Sequence, residues 1–311
     1  MVECGRCKVK NFIQGDLAPL QTAPCARCGH PVMMPMLMRQ FELRSVIASG
    51  GMGTVYRAWD VKLHRNVALK MMKKEMAQDP EVMESFYREA RAGAALNHTN
   101  IIHIYSFDEF DGHPYLVMEL ADAGSLDSWI EREQRVPELN VLDAGIGVTS
   151  ALNKALQHNL LHRDIKPGNI LYNDEGEPKL IDFGLARKAE TETVDEASVW
   201  GTPYYVAPEK IRRESETFLS DMYSLGGTLY HALTGHVPFE AATIEDLVAA
   251  HVYTQLTPPN AVLPEITQPT SDAIAKCMAK DPKDRYADYD QLYMALTSAR
   301  SQVLIEKFRN G

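Results

Sequence analysis

No apolar run in this 311-residue chain is long enough to cross a bilayer. The longest near the N-terminus, residues 31–38, falls far short of the ~20 residues a spanning helix needs. The first four residues, Met1-Val2-Glu3-Cys4, lack the basic stretch followed by an apolar one that marks a secretory signal, so the expected location is the cytoplasm. No segment recurs at a fixed period, which excludes a solenoid. Basic charge is scarce in the main body. Residues 1–38 hold four basic and two acidic side chains, and the remainder holds 28 basic against 40 acidic. An acidic body argues against a nucleic acid as chief partner, because phosphate binding needs a basic surface. It tolerates basic protein substrates. Cysteine is almost absent beyond residue 28, where only Cys277 stands, on a helical stretch as a core thiol. With 45% hydrophobic and 24% charged residues, the chain is neither disordered nor fibrous in composition.

The other four cysteines form two Cys-x-x-Cys pairs, Cys4/Cys7 and Cys25/Cys28, separated by 17 residues. Each pair can grip one metal ion from a tight turn, with Gly5 and Gly29 easing the backbone. Together they complete the four-thiolate tetrahedral shell that zinc prefers in structural sites. The segment between them, from Phe12-Ile13 to Gln14-Gly15-Asp16, suits a short hairpin. Two disulfides or a redox switch are the competing readings, and both are disfavoured in a reducing cytoplasm. The arrangement looks like a zinc ribbon over residues 1–35, with residues 36–40 as a linker. A unit of roughly 35 residues buries too little surface to fold unaided, so the metal is its expected source of stability. Docking, oligomerisation and a plain structural cap on the next domain all remain open as its role.

From Phe41 the pattern becomes alternating apolar residues, then a glycine cluster: Ile47-Ala48-Ser49-Gly50-Gly51-Met52-Gly53-Thr54-Val55. A strand, a glycine turn and a second strand would place bare backbone N–H groups over a polyphosphate. Val67-Ala68-Leu69-Lys70 reads as a strand ending in a lysine. A helix follows, announced by Asp79-Pro80, with Val82, Phe86, Ala90 and Ala94 marking its buried side. Glu89 lies near that stripe, where an unpaired carboxylate is costly, and Lys70 is its expected partner.

Three clusters then follow in order: His162-Arg163-Asp164-Ile165-Lys166-Pro167-Gly168-Asn169, Asp182-Phe183-Gly184 and Ala207-Pro208-Glu209. With these motifs residues 41–298 resemble the protein-kinase family, in particular the bacterial Hanks-type serine/threonine kinases. The resemblance implies an α+β bilobal fold, with a β-rich N-lobe at 41–120, a helical C-lobe at 121–298 and a helical extension at 299–311. It implies ATP, magnesium or manganese, and protein substrates. Asp164 resembles the catalytic base and Lys166 the residue that neutralises the transferred phosphoryl group. Asn169 and Asp182 resemble the magnesium ligands. Lys70, positioned by Glu89, would hold the α- and β-phosphates. Residues 47–53 would cover the phosphates, Val55, Ala68 and Leu171 would enclose the adenine, Met118 aligns with the gatekeeper, and the backbones of Glu119 and Ala121 align with the hinge. Thr191, Thr193 and Ser198 resemble activation-segment phosphorylation sites, with Arg163 as the cation that would grip the phosphate. Thr202 would contact Asp164 and Lys166. Asp221 resembles the brace of the catalytic loop, and Arg285 the buried partner of Glu209. A homodimer is implied by the same resemblance alone.

Two positions depart from the family pattern. Ala48 replaces the first glycine of the phosphate loop, which is expected to restrict the backbone and weaken ATP binding modestly. Gly93 stands one turn after Glu89, where many kinases carry a larger apolar residue against Phe183. A gap is expected there, and filling it with leucine would raise basal activity.

Overall fold

The computed structural model describes residues 1–12, 17–183, 187–188 and 203–310, and only the backbone at 187, 188 and 310. Two short hairpins open the chain. β1 (Val2–Glu3) pairs antiparallel with β2 (Lys10–Asn11), and β3 (Thr22–Pro24) with β4 (Pro31–Met33). Each hairpin turns through one Cys-x-x-Cys pair. The turns are tight because the Cys4 carbonyl accepts from the Lys8 N–H at 3.0 Å, and the Cys25 carbonyl from the Gly29 N–H at 2.9 Å. Gly29 takes the left-handed conformation (φ 70°) that such a turn requires. The hairpin expected between the knuckles involves residues 13–16, which lie outside the described residues. The hairpins found here carry the knuckles themselves.

β5 (Met36–Met38) pairs with β6 (Phe41–Ser49), so residues 36–40 form an edge strand and its turn where a linker was expected. Met38 is fully buried while Leu37 is 63% exposed, the alternation of a half-buried strand. The Arg39 guanidinium ties the turn down through Asp108 (2.9 Å) and the Glu109 carbonyl (2.9 Å). With β7 (Gly53–Asp60), β8 (Arg65–Met72), β9 (Ile104–Phe110) and β10 (His113–Met118), these strands form a six-stranded antiparallel sheet of order β5-β6-β7-β8-β10-β9.

Register decides which side chains share a face. Val55 lies opposite Lys70, Lys70 opposite Leu116, and Ala68 opposite Met118, so all five face one way. On that face α1 (Pro80–Ala95) packs Phe86 and Ala90 against Met72, Ile104 and Leu116. The Asp79 carboxylate accepts from the Glu81 N–H at 2.9 Å and Pro80 begins the helix, a sound N-terminus. The buried stripe differs from the expected one at its end: Gly93 is buried and Ala94 is exposed. The other face buries Leu43, Tyr56, Ala58, Val67, Leu69, Tyr115 and Val117 together with Met33 and Met38.

This sheet, the ribbon and α1 form one compact unit, Met1–Ala94 with His103–Leu120; a second unit comprises Ala95–Ile102 and Ala121–Gly311. The second unit is mainly helical: α2 (Leu126–Glu133), α3 (Glu138–Gln157), α4 (Pro208–Ile211), α5 (Phe218–Thr234), α6 (Ile244–Tyr253), α7 (Pro259–Val262), α8 (Gln268–Cys277) and α9 (Tyr289–Asn310). α3 packs on α5 and α9, burying Leu142, Leu152, Leu225, Leu229, Leu292 and Leu296. The expected extension at 299–311 is the last part of α9, continuous with its core-packed start. Capping boxes at Ser125 and Thr217 begin α2 and α5, and Gly235 (φ 77°) ends α5. Two small ladders, β11 (Leu160–Leu161) with β14 (Arg187–Lys188) and β12 (Ile170–Tyr172) with β13 (Pro178–Leu180), frame the loop between α3 and β12. Among the described residues no helix is long and apolar enough to cross a membrane.

Candidate active site and metal centre

In the first unit the strands β6 and β7 continue as a ladder to Ala48–Val55 and Ser49–Thr54, then turn through Gly50, Gly51 and Met52. The Gly50 N–H donates to the Gly53 carbonyl at 2.9 Å, and the Lys73 N–H to the Met52 carbonyl at 3.0 Å. The tip is open to solvent, with Met52 57% and Ile47 40% exposed. The three glycines are not equivalent. A Cβ on Gly53 would stand 2.2 Å from the Met71 carbonyl oxygen, so the fold itself demands glycine there. A Cβ on Gly50 or Gly51 would meet nothing within 4 Å. Their missing side chains leave room above the turn, which suits close approach of a phosphate to the backbone. Ala48 is a ladder residue with no positive φ, so the expected backbone restriction is not there.

Lys70 reaches Glu89 on α1, its ammonium donating to both carboxylate oxygens at 2.8 and 2.7 Å. Val55, Ala68 and Met118 share its face. The Glu119 N–H donates to the His103 carbonyl at 2.8 Å. The gap expected beside Gly93 does not exist: a Cβ there would lie 2.4 Å from the Ile104 Cδ1. Ile104 fills the space that the missing side chain vacates.

In the second unit the loop after β11 is suspended from a buried carboxylate. Asp221, on α5 and 3% exposed, accepts the N–H groups of His162 and Arg163, each at 2.7 Å. Burial pushes the Asp221 carboxyl up, opposed by His162 and these two N–H donors. Arg163 is thereby held at φ 68°, a left-handed conformation that costs a non-glycine residue about 1 kcal/mol or more. The loop then presents Asp164, whose Oδ2 accepts from Lys166 Nζ at 2.7 Å and Asn169 Nδ2 at 2.9 Å. Asn169 Nδ2 also reaches the Asp164 carbonyl at 2.7 Å. With its nitrogen engaged, Asn169 offers Oδ1 as its ligand atom, a hard oxygen donor beside a carboxylate. Ala121 is buried and Leu171, on β12 opposite Lys179, is half-buried. Asp182 takes φ 69°, which aspartate tolerates better than most residues.

Sequence reasoning assigned no role to His162, which ties these pieces together. It is fully buried; its Nδ1 accepts from the Asp164 N–H at 3.3 Å, so Nε2 carries the proton and donates to the Ile181 carbonyl at 2.9 Å. Its ring meets Phe183 edge-on at 4.8 Å. Glu216, also unassigned, lies 3.9 Å from the Arg163 guanidinium and 3.7 Å from Lys210. Glu209 and Arg285 form a two-point buried pair at 2.7 and 2.8 Å, completed by the Ser220 hydroxyl at 2.7 Å. Burial raises the Glu209 carboxyl, but the Arg285 hydrogen bonds and charge outweigh it and hold the group below the usual range. Gly184, Thr191, Thr193, Ser198 and Thr202 lie outside the described residues.

The four N-terminal sulfurs all lie within 4.8 Å of one another, with Cys4 to Cys28 at 3.7 Å and Cys7 to Cys25 at 3.6 Å. Zinc–sulfur bonds of about 2.3 Å in a tetrahedron put sulfurs about 3.8 Å apart. The spacing thus fits a four-thiolate metal shell, and the thiols are unpaired by disulfides.

Residues 41–296 match the family model described as the protein kinase domain. The chain is 35% identical over 258 residues to the serine/threonine-protein kinase PknB of Mycobacterium leprae, covering 81% of this chain and 42% of that protein. It is 34% identical over 280 residues to PknL of Mycobacterium tuberculosis, covering 90% and 70%. A probable serine/threonine-protein kinase of Clostridium perfringens is 34% identical over 252 residues, covering 81% and 37%. The chain therefore spans less than half the length of two of these three relatives. The motif order, the suspended loop and the family match agree: the chain belongs to the protein kinase family.

Proposed function

We propose that the chain is a serine/threonine protein kinase that transfers the γ-phosphoryl group of ATP to hydroxyls of protein substrates in the cytoplasm. The observation that carries this reading is the Asp164–Lys166–Asn169 triangle, closed at 2.7 and 2.9 Å on one carboxylate oxygen. Asp164 accepts the proton of the incoming hydroxyl and orients its oxygen for attack. Lys166, already beside that carboxylate, balances charge on the group in transfer. Lys70, steadied by Glu89, holds phosphate oxygens on the face shared by Val55, Ala68 and Met118. Asn169 Oδ1 and Asp182 would hold magnesium, which supplies charge neutralisation to the phosphates when bound. The serine/threonine preference is supported by Lys166 and by the names of the relatives.

Activation by phosphorylation at Thr191, Thr193 or Ser198 belongs to the same reading, with Arg163 as the receiving cation. Zinc in the Cys4/Cys7/Cys25/Cys28 shell belongs to it as well, as does a homodimer.

The test is phosphate transfer to a protein substrate by wild type and Asp164→Asn, with mass spectrometry of the products. Wild type should incorporate phosphate, on itself at the three named hydroxyls among other sites, and the variant should fall at least about a hundredfold. Equal incorporation by the two proteins would reject the reading.

A further inference from the structure

Strand β4 places neighbouring side chains in two different cores. Val32 is buried with Cys4 and Cys25 in the ribbon, where Val2, Cys7 and Cys28 pack around it. Met33, the next residue, is buried with Leu43, Tyr56, Leu69, Tyr115 and Val117 under the six-stranded sheet. Successive side chains of a strand point to opposite sides, so neither can move without the other. The β3–β4 hairpin is prolonged past the strand ends: the Leu20 N–H donates to the Met34 carbonyl at 2.9 Å, and the Met34 N–H to the Gln21 carbonyl at 2.8 Å. Leu20 and Met36 pack against the same sheet core.

β8 repeats the device. Leu69 lies in the ribbon-side core, and Lys70, the next residue, points to the opposite face and holds Glu89. A line of packed groups thus runs from the thiolates through Val32 and Met33 to Leu69 and Lys70. The ribbon cannot close its own small core without cross-linking, because its apolar content is little more than two valines and the cysteines.

The geometry points to metal control of the nucleotide-binding sheet: an ion in the four-cysteine shell seats Met33 and Leu20 in the outer core and so steadies the strands that carry Val55, Ala68 and Lys70. This rests on the zinc reading of the ribbon and extends it from a metal site to a regulator. Linkage makes the effect reciprocal, so nucleotide must tighten metal binding by the factor with which metal tightens nucleotide binding.

The experiment uses the full chain, reduced and loaded with zinc alone, then stripped with a chelator. Amide hydrogen exchange and affinity for a non-hydrolysable ATP analogue are measured in both states. Stripping should speed exchange at Tyr56, Ala58, Leu69 and Val117 while leaving Leu225 and Leu229 protected, which shows that the second unit stays folded. Analogue affinity should fall at least about fivefold, the low end of measured couplings, and zinc affinity should rise by the same factor when the analogue is present. Met33→Ala keeps all four thiolates, so it should still bind one zinc yet lose most of the response to stripping; Met33→Leu, close in volume, should keep it. Zinc removal that leaves exchange and analogue affinity unchanged overturns the coupling while the zinc site stands. So does a Met33→Ala protein with the wild-type response. A reduced chain that binds no zinc removes the metal site and the coupling together.

Discussion

Lys70 and Glu89 hold each other in the first unit with side chains still 26% and 12% exposed, whereas Asp221 holds the His162–Arg163 backbone in the second from near-complete burial. The first contact joins two long side chains, whose meeting depends on where α1 and β8 are kept by packing. The second joins a short carboxylate to backbone N–H groups, with Glu209, Ser220 and Arg285 closing another buried network nearby. An ion pair between two long side chains follows the elements that carry it. A buried carboxylate with two short N–H bonds dictates the loop, because every alternative leaves a charge or a donor unsatisfied. One half of the chemistry is adjustable and the other is preformed.

The largest expected effect attacks the preformed half. Arg285→Ala leaves Glu209 buried without its cation and should cost about 3–5 kcal/mol in chemical denaturation. Replacing both residues with apolar ones of similar volume should recover much of that loss. A recovery that also restores activity would show that the pair serves stability alone.

Acid should also strike the second unit. His251 on α6 is fully buried, accepts or donates at the Tyr223 hydroxyl (2.9 Å), and packs on Phe239, with Lys280 bound to its carbonyl. Burial, aided by the Lys280 charge, pushes its pKa down to about 3. The unfolded chain takes up a proton near pH 6.5 that the folded chain refuses. Stability from this group is therefore complete above about pH 6.5 and falls by about 1.4 kcal/mol per pH unit toward pH 3. His251→Asn should flatten that slope in melts from pH 7 to pH 4.

Two glycines of the adjustable half should cost less. Gly93→Leu must displace Ile104 and should destabilise by about 1–3 kcal/mol without raising basal activity. Increased activity in a phosphate-transfer assay would restore the idea of a gap. Gly53→Ala should cost a similar amount through its clash with Met71. The smallest effect is Gly50→Ala, within about 0.5 kcal/mol in melting while nucleotide affinity drops, because its empty space faces outward from the chain.

Much of the site was legible because its chemistry is written in short local strings. The glycine turn, the apolar run that carries Lys70, and the Asp164, Asn169 and Asp182 clusters each occupy a few consecutive residues, although β8 runs on to Met72 and Lys70 lies inside the strand where it was expected to end it. The Cys-x-x-Cys pairs were readable for the same reason. β5 was not, since Met36-Leu37-Met38 becomes a strand only by pairing with Phe41, Glu42 and Leu43 and by the grip of Arg39 on Asp108. The face of Ala94 was misread because helical spacing fixes a stripe only to within one residue, and the gap at Gly93 was misread because the Ile104 side chain that fills it comes from another segment. His162 was unreadable as a tie, because its partners Ile181 and Phe183 lie some twenty residues away.

The amino-acid sequence alone determined the family, the candidate ligands and the four-cysteine cluster, since these depend on residue type at short spacing. Only the tertiary structure decided that the cysteine unit is stitched into the sheet rather than tethered to it. It also decided which glycines the fold needs and which it leaves open, and which carboxylate suspends the loop that carries Asp164. Those outcomes depend on contacts between distant segments, where burial and register choose among partners that local sequence leaves equivalent.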